Sequence, residues 1–187
     1  ELEAELDGFA VKSITPFQES QLLILTGRGS HLVTVYGINP ETEKGASILG
    51  QSMVSGELED LRGPDLELML GQSIARRYGL VIGESISLVV PAISSNGGTV
   101  KPRLYRAQLV GTLSMGSELD HRLGLMHLPD LQKVAGENQV MRITLDDIFK
   151  APLVEQQLQG SGYPVTSWTD QFGDFFRTVR MEKIMMF

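Results

Sequence analysis

The chain has 187 residues, 42% of them hydrophobic and 21% charged, which is ordinary for a folded domain and argues against intrinsic disorder. Its formal net charge of −7 argues against nucleic acid as a partner, because phosphate backbones need a basic face. With no cysteine, the chain can form no disulfide, zinc thiolate or thiol nucleophile.

The beginning of the chain predicts a short helix followed by a strand. In "ELEAELDGF", Leu2 and Leu6 lie four residues apart, and Gly8 is expected to end the helix. The next stretch, "FAVKSITPF", alternates as strands do, and we expect this strand to end at Pro16. Because the chain starts within a helical pattern and ends on the apolar "KIMMF", we expect it to be an excised part of a longer protein.

The next elements are a hairpin, a helix and a strand–helix pair. Two β-rich runs, residues 22–26 and 32–38, flank the turn "GRGS", and one short helix is expected over residues 43–50. Residues 66–70 predict a short buried strand. A helix is expected from Gly71 to Gly79, which fits the left-handed position that ends helices.

The middle of the chain predicts a long hairpin with a wide tip. The strands "SISLVV" and "PRLYRAQLVGTL" are joined by the polar, glycine-rich "AISSNGGTVK". This loop is longer than a tight turn requires, so two interpretations stand: an ordinary flexible loop, or a tip that contacts a partner.

The last third changes to a βαβα pattern. The strand "LGLMHL" and the helix "PDLQKVAG" precede a strand over residues 140–145 and a helix in "FKAPLVEQQLQGSG". The stretch "YPVTSW" predicts another strand. A final amphipathic helix is expected to begin at Thr169, a good N-cap residue.

No motif predicts catalysis. Of the three histidines, His31 has no evident partner in the sequence, and His127 lies in an apolar strand. Only "ELDH" places carboxylates beside a histidine. Asp120 and His121 would point to opposite faces of an extended chain, which argues against a metal or acid–base site. The sequence also lacks GxSxG and GxxxxGK[ST], so we predict no catalytic residue, metal or cofactor.

Four stretches in order carry a family resemblance: "LMLGQSIARRYGLVIGESISLVVP", "PRLYRAQLVGTL", "ELDHRLGLMHLPDLQKV" and "SWTDQFGDFFRTVRMEKIMM". Together they resemble the periplasmic domain of LolC/LolE subunits of the lipoprotein-releasing ABC transporter, within the MacB-like permease group. "ELDH" and "KPRLYR" look more like LolE, whereas "VRMEKIMM" looks more like LolC. We favour LolE narrowly, and a LolF-type subunit that merges both roles stays open.

The resemblance implies an α+β fold of two lobes on the periplasmic face of the Gram-negative inner membrane. A porter-like βαβ lobe is expected over residues 1–38 with 138–187, and an inserted β-rich, sabre-like lobe over residues 39–137. Such a domain performs no chemistry, since ATP hydrolysis belongs to the cytoplasmic subunit LolD. It is expected to work as a lever that couples hydrolysis to extraction of an acylated lipoprotein, beside a second LolC/LolE-type subunit.

The resemblance also implies where partners bind. In LolC a protruding hairpin loop hooks the soluble chaperone LolA, and the matching place here comprises the loop residues Ser94, Ser95, Asn96, Gly97, Gly98, Thr99 and Lys101. This loop departs from the family pattern because it is glycine-rich, without an apolar or proline tip. Apolar residues expected near lipid are Met181, Met185, Met186 and Phe187.

Three other functions are weighed against this one. A different MacB-like export or cell-division permease would share the fold. A soluble enzyme would show a pocket of converging polar groups, and a free-standing β-rich binding module would carry no membrane anchor.

Overall fold

A computed structural model describes residue 6 and residues 8–46, 49–90, 102–116, 118–162 and 164–167. The chain divides into two compact units, residues 1–14 with 143–187, and residues 15–142. The first unit therefore combines both ends of the chain. Residues 15–38 and 138–142 belong to the second unit, whereas the sequence prediction placed the lobe boundaries at 38 and 138. The assignment of porter-like and sabre-like lobes stays a prediction.

Eight strands and four α-helices are described, which confirms the α+β class. The strands are β1 (Val11–Thr26), β2 (Gly29–Ile38), β3 (Met53–Ser55), β4 (Glu67–Gly71), β5 (Ser85–Val90), β6 (Arg103–Leu113), β7 (Leu123–His127) and β8 (Val140–Leu145). The helices are α1 (Pro40–Ala46), α2 (Gln72–Tyr78), α3 (Leu128–Ala135) and α4 (Ala151–Gly160). Short 3₁₀ turns cover Gly50–Ser52, Leu58–Arg62, Glu118–His121 and Ile148–Lys150.

The second unit is built on six strands that close into a ring in the order β1-β2-β7-β4-β6-β5, with β5 pairing back to β1. Pairs β2–β7 and β4–β6 are parallel, and the other pairs of the ring are antiparallel. The short β3 pairs with β6 outside the ring. Closure leaves none of these six strands with an open edge, which protects the sheet from pairing with other chains.

Side-chain alternation fills the inside of the ring. Every second residue of β1 and β2 points inward, for example Leu22 with Ile24 and Val33 with Val35, all fully buried. Strand β4 is buried on both faces. Leu68 and Leu70 belong to the cluster inside the ring, whereas Met69 belongs to a second cluster that includes residues of the 3₁₀ turn Leu58–Arg62. Residues Leu68, Met69 and Leu70 are therefore apolar without alternation.

Two of the predicted boundaries need correction. Strand β1 does not end at Pro16 but continues to Thr26. Its register with β2 starts only at Gln18, so the N–H that proline lacks lies outside that ladder. The helix expected over residues 43–50 begins earlier, at Pro40. Asn39 caps it, with Oδ1 accepting a hydrogen bond from Glu41 N at 3.1 Å.

The elements around the middle hairpin agree with the predictions. Helix α2 ends at Gly79, whose φ of 63° and ψ of 36° are left-handed. Its N–H donates to the carbonyl groups of Ala75 and Arg76, which closes the last turn. Strands β5 and β6 form the expected long antiparallel hairpin.

The first unit contains its own small core around Leu6, Val154 and Leu158, packed with side chains of β1, β8 and the segment after α4. Strand β8 pairs with β1. The strand predicted in "YPVTSW" is wrong for residues 164–167, which adopt no regular structure. The predicted helices at residues 1–5 and after Thr169 lie outside the described residues. No helix in the described ranges is both long and apolar enough to cross a bilayer.

Candidate partner-binding surface

The residues predicted to bind partners lie outside the described part of the chain. These are loop residues Ser94, Ser95, Asn96, Gly97, Gly98, Thr99 and Lys101, and the lipid-proximal Met181, Met185, Met186 and Phe187. The structure does describe the two strands that carry the loop. They pair over six positions, from Ser85 with Gln108 to Val90 with Arg103, which fixes the positions from which the loop departs.

An apolar row crosses the outer face of the ring beside this loop. The strand registers align Leu32 with Leu23, Leu23 with Val89, and Val89 with Leu104. Two of these side chains are well exposed, Leu32 at 49% and Leu104 at 63%. These two leucines lie at the ends of the row, with the half-buried Leu23 and Val89 between them, and exposed apolar residues of this kind can contact partners. We call these four residues the apolar row.

Positive charge adjoins the apolar row. Arg103 and Arg106 of β6 are exposed, and Arg106 pairs in register with Ser87 of β5. Neither arginine forms an ion pair with another described residue. The end of the hairpin next to the loop thus presents aliphatic and cationic groups together. This composition suits a partner with apolar and acidic groups.

The stretch "ELDH" has a structural role. It forms a 3₁₀ turn, not the extended chain that the sequence predicted. The Asp120 carboxylate is 5% exposed and accepts hydrogen bonds from Ser114 Oγ at 2.8 Å, Met115 N at 2.7 Å and Gly116 N at 3.1 Å. Burial alone would raise the pKa of Asp120, but these bonds outweigh it and the pKa is lowered.

His31 and His127 also make structural contacts. His31 Nε2 donates to the carbonyl oxygen of His121 at 2.6 Å, and Tyr78 Oη lies 3.3 Å from His31 Nδ1. His127 precedes α3, and burial lowers its pKa while the Asp130 carboxylate, at 3.7 Å, opposes that shift. Within the described ranges, no three His, Asp or Glu side chains converge to hold a metal ion.

Glu67 is a buried carboxyl group that the sequence analysis did not identify. Its side chain is 2% exposed, and Oε1 accepts a hydrogen bond from Asp65 N at 3.1 Å. Its Oε2 has no hydrogen-bond partner among the described residues. Burial raises the pKa of Glu67, and the nearby carboxylates of Asp130 and Asp65 act in the same direction.

We expect Glu67→Gln to raise the melting temperature at neutral pH. The unfolded side chain ionises near its ordinary pKa of 4.5, before the folded one does, so stability falls as pH rises through that window. The variant cannot ionise and should melt at nearly the wild-type temperature near pH 4. The gap should open as the pH rises to 7 in thermal melts followed by circular dichroism.

The matched control for this variant is Glu137→Gln, which changes an exposed carboxylate. Its melting temperature should follow that of the wild type across the same pH range. A Glu67→Gln variant that melts lower than the wild type at pH 7 would contradict the account, since ionised Glu67 would then stabilise the fold.

Comparison with known proteins gives the chain both a fold and relatives. No family model matches it. Structures with the same fold include the extracellular domain of the ABC-type transporter YknZ from Gram-positive bacteria, with a TM-score of 0.55, 12% identity and coverage of 87% of this chain and 83% of that one. The periplasmic region of MacB from Actinobacillus actinomycetemcomitans follows, with a TM-score of 0.50, 12% identity, and coverage of 85% and 71%.

The sequence relatives are named lipoprotein-releasing system transmembrane proteins. LolC of Neisseria meningitidis serogroup B is 28% identical over 185 residues, which cover 95% of this chain and 45% of that protein. LolC of Xylella fastidiosa strain 9a5c is 27% identical over 182 residues, and LolE of Haemophilus influenzae 23% over 188 residues. The chain thus spans less than half the length of the curated relatives it matches.

The chain therefore has the fold class of the extracellular and periplasmic domains of MacB-like ABC transporter permeases, and its sequence is similar to LolC and LolE proteins over 94–95% of its length. Within that class the chain is homologous to LolC and LolE, as the order of its motifs predicted. Both names occur among the relatives, and the preference for LolE over LolC is not resolved by them.

Proposed function

We propose that this chain is the periplasmic domain of a LolC/LolE-type subunit that extracts outer-membrane lipoproteins from the inner membrane and passes them to a periplasmic chaperone. The observation that carries the proposal is similarity over 94–95% of the chain to proteins with those names. The partners follow from the same proposal: a second LolC/LolE-type subunit, the ATPase subunit LolD, an acylated lipoprotein and the chaperone LolA.

The chaperone contact is proposed for loop residues 94–99 and 101. Two features of the described residues support this placement. The loop departs from a hairpin held in a six-position register, so its base is rigid. The apolar row and the exposed Arg103 and Arg106 lie beside that base, where they can extend the contact surface.

The domain acts mechanically in this proposal and makes or breaks no bonds. ATP hydrolysis by LolD moves the membrane helices, and the domain follows as a lever. The unit that contains both chain ends takes the part of the porter-like lobe, and the six-stranded unit that of the inserted lobe. Met181, Met185, Met186 and Phe187 would meet acyl chains, because methionine adapts to varied apolar shapes.

A second candidate is the periplasmic domain of another MacB-like export or cell-division permease. The fold likeness to YknZ and MacB favours it, since neither structure is described as a lipoprotein-releasing protein. Fold alone does not specify function, so the two candidates need a functional test.

Site-specific photocrosslinking in the full-length parent protein tests the first candidate. A photoreactive residue at Asn96, in membranes that carry the assembled transporter and LolA, should crosslink to LolA in the presence of ATP. The same residue at exposed Glu137, outside both the loop and the apolar row, should not. Release of a labelled lipoprotein from the same membranes is measured in parallel.

The two readouts separate the parts of the proposal. Lipoprotein release without a crosslink at Asn96 would remove the chaperone contact and leave the transporter assignment. If depleting the parent protein left lipoprotein release unchanged, the transporter assignment would fail and the second candidate would replace it.

A further inference from the structure

Cationic and aliphatic side chains share one end of the six-stranded ring. The stretch "RRYGLVIG" covers the end of α2 and the turn before β5, and the tip of the β1–β2 hairpin lies against it. We define the basic rim as Arg28, Arg76, Arg77, Val81 and Ile82. The first three are exposed, and Val81 and Ile82 are 65% and 51% exposed.

Contacts hold the hairpin tip against the end of α2. The Arg28 guanidinium lies so close to Gly79 that an added Cβ there would collide with it. Tyr78 Oη donates to the carbonyl oxygen of Ser30 at 3.2 Å, and the Arg77 guanidinium carbon lies 5.8 Å from the centre of the Tyr78 ring. Arg28 and Arg77 therefore flank the same short segment, although 49 positions in the sequence separate them.

The charge of the basic rim is not neutralised within the described residues. None of its three arginines forms an ion pair there. Glu84 is the nearest acidic residue in sequence, and its Oε2 accepts a hydrogen bond from Val81 N at 3.1 Å within the turn. The negative end of the α2 dipole accounts for Arg76 and Arg77, but not for Arg28, which comes from another element.

The composition of the basic rim separates two classes of partner. Arg28 and Ile82 lie in two tight turns, Arg76 and Arg77 lie in the last turn of α2, and Val81 lies between α2 and the second tight turn. A surface that combines exposed arginine with exposed aliphatic residues suits negative headgroups above an apolar layer. An acidic protein segment would pair with the arginines and leave Val81 and Ile82 without a matching apolar contact.

We propose that the basic rim binds the surface of a membrane that contains anionic phospholipids. The arginines contact headgroup phosphates, and Val81 with Ile82 enters the boundary between headgroups and acyl chains. This inference does not depend on which substrate the transporter carries. It assigns a lipid contact to a part of the chain distant in sequence from Met181, Met185, Met186 and Phe187.

Vesicle co-sedimentation of the 187-residue chain tests the inference. The wild type should bind vesicles of phosphatidylcholine with 30% phosphatidylglycerol more tightly than pure phosphatidylcholine, and salt should weaken that binding. The double variant Arg28→Gln with Arg77→Gln should lose about 30-fold in affinity for the anionic vesicles. Val81→Ser with Ile82→Ser should weaken binding to the same vesicles with little change in the salt dependence.

The matched control is Arg103→Gln with Arg106→Gln, which removes the same charge from β6. This control should keep at least half of the wild-type affinity, and circular dichroism melts verify that every variant is folded. All variants retain residues 181–187, so a contribution from that segment is constant. Equal losses in the rim and control variants, or equal binding to both kinds of vesicle, would overturn the inference. So would binding of the wild type to polyglutamate in preference to anionic vesicles.

Discussion

Arg142→Met should lower the free energy of unfolding by about 3 kcal/mol, because it would remove the cation that pairs with the buried carboxylate of Glu43. Glu43 is fully buried, and Arg142 forms an ion pair with its Oε1. Because the carboxylate is desolvated, loss of its paired cation costs far more than the loss of an exposed pair. Urea denaturation followed by circular dichroism measures the change.

Arg142 also joins three elements of the second unit. Its Nη2 donates to Thr15 Oγ1 at 3.4 Å, and its guanidinium carbon lies 4.9 Å from the centre of the Phe17 ring. Glu43 belongs to α1, Thr15 and Phe17 to β1, and Arg142 to β8. Methionine preserves most of the aliphatic volume, so the variant isolates the loss of the charged group.

The same helix supplies the matched control. Arg62 forms an ion pair with Glu41 of α1, but both side chains are largely exposed, at 47% and 66%. Arg62→Met should therefore cost less than about 1 kcal/mol. If Arg62→Met and Arg142→Met destabilise the protein equally, burial is not what makes the Glu43 pair important, and the prediction is wrong.

Gly71→Ala should destabilise the protein by about 3 kcal/mol through steric overlap. A Cβ at this position would overlap the carbonyl group of Asp120, whose carbon would lie only 2.8 Å away. That group cannot easily withdraw, since the Asp120 side chain is held by three hydrogen bonds. The φ of −54° at Gly71 is open to alanine, so backbone conformation does not contribute.

Gly160→Ala is the control, because it makes the same chemical change at the end of α4 where no atom lies within 4 Å of the added Cβ. Alanine is the better helix former, so this variant should be as stable as the wild type or more stable by up to about 1 kcal/mol. Thermal and urea unfolding measure both variants. A Gly71→Ala protein as stable as Gly160→Ala would show that the junction of β4 with α2 can relax.

Local signals in the sequence predicted the elements whose geometry depends on neighbouring residues. The glycine at position 79 predicted the end of α2, and the alternation on both sides of "GRGS" predicted the β1–β2 hairpin. The errors arose where a local sequence signal was compatible with more than one structure. Pro16 was interpreted as the end of a strand, although only an N–H outside the β2 ladder was missing. "YPVTSW" has strand propensity, but residues 164–167 form no strand.

The charged sites were less accessible to sequence analysis. Arg142 and Glu43 are 99 residues apart, and nothing near either residue indicates that they pair. The residues of "ELDH" suggested a weak metal or acid–base site, but the turn directs Asp120 to backbone N–H groups. The loop at residues 94–101 and the tail remain sequence-based proposals, since they lie outside the described residues.

By itself the sequence determined the hairpins, the end of α2 and the likeness to LolC and LolE, because turn residues, periodicity and motif order are properties of neighbouring positions. Only the tertiary structure decided that six strands close into a ring, that Arg142 neutralises buried Glu43 and that Arg28 lies beside Arg77. These facts depend on which distant segments meet. That choice is made by burial of apolar surface over the whole chain, which no short stretch records.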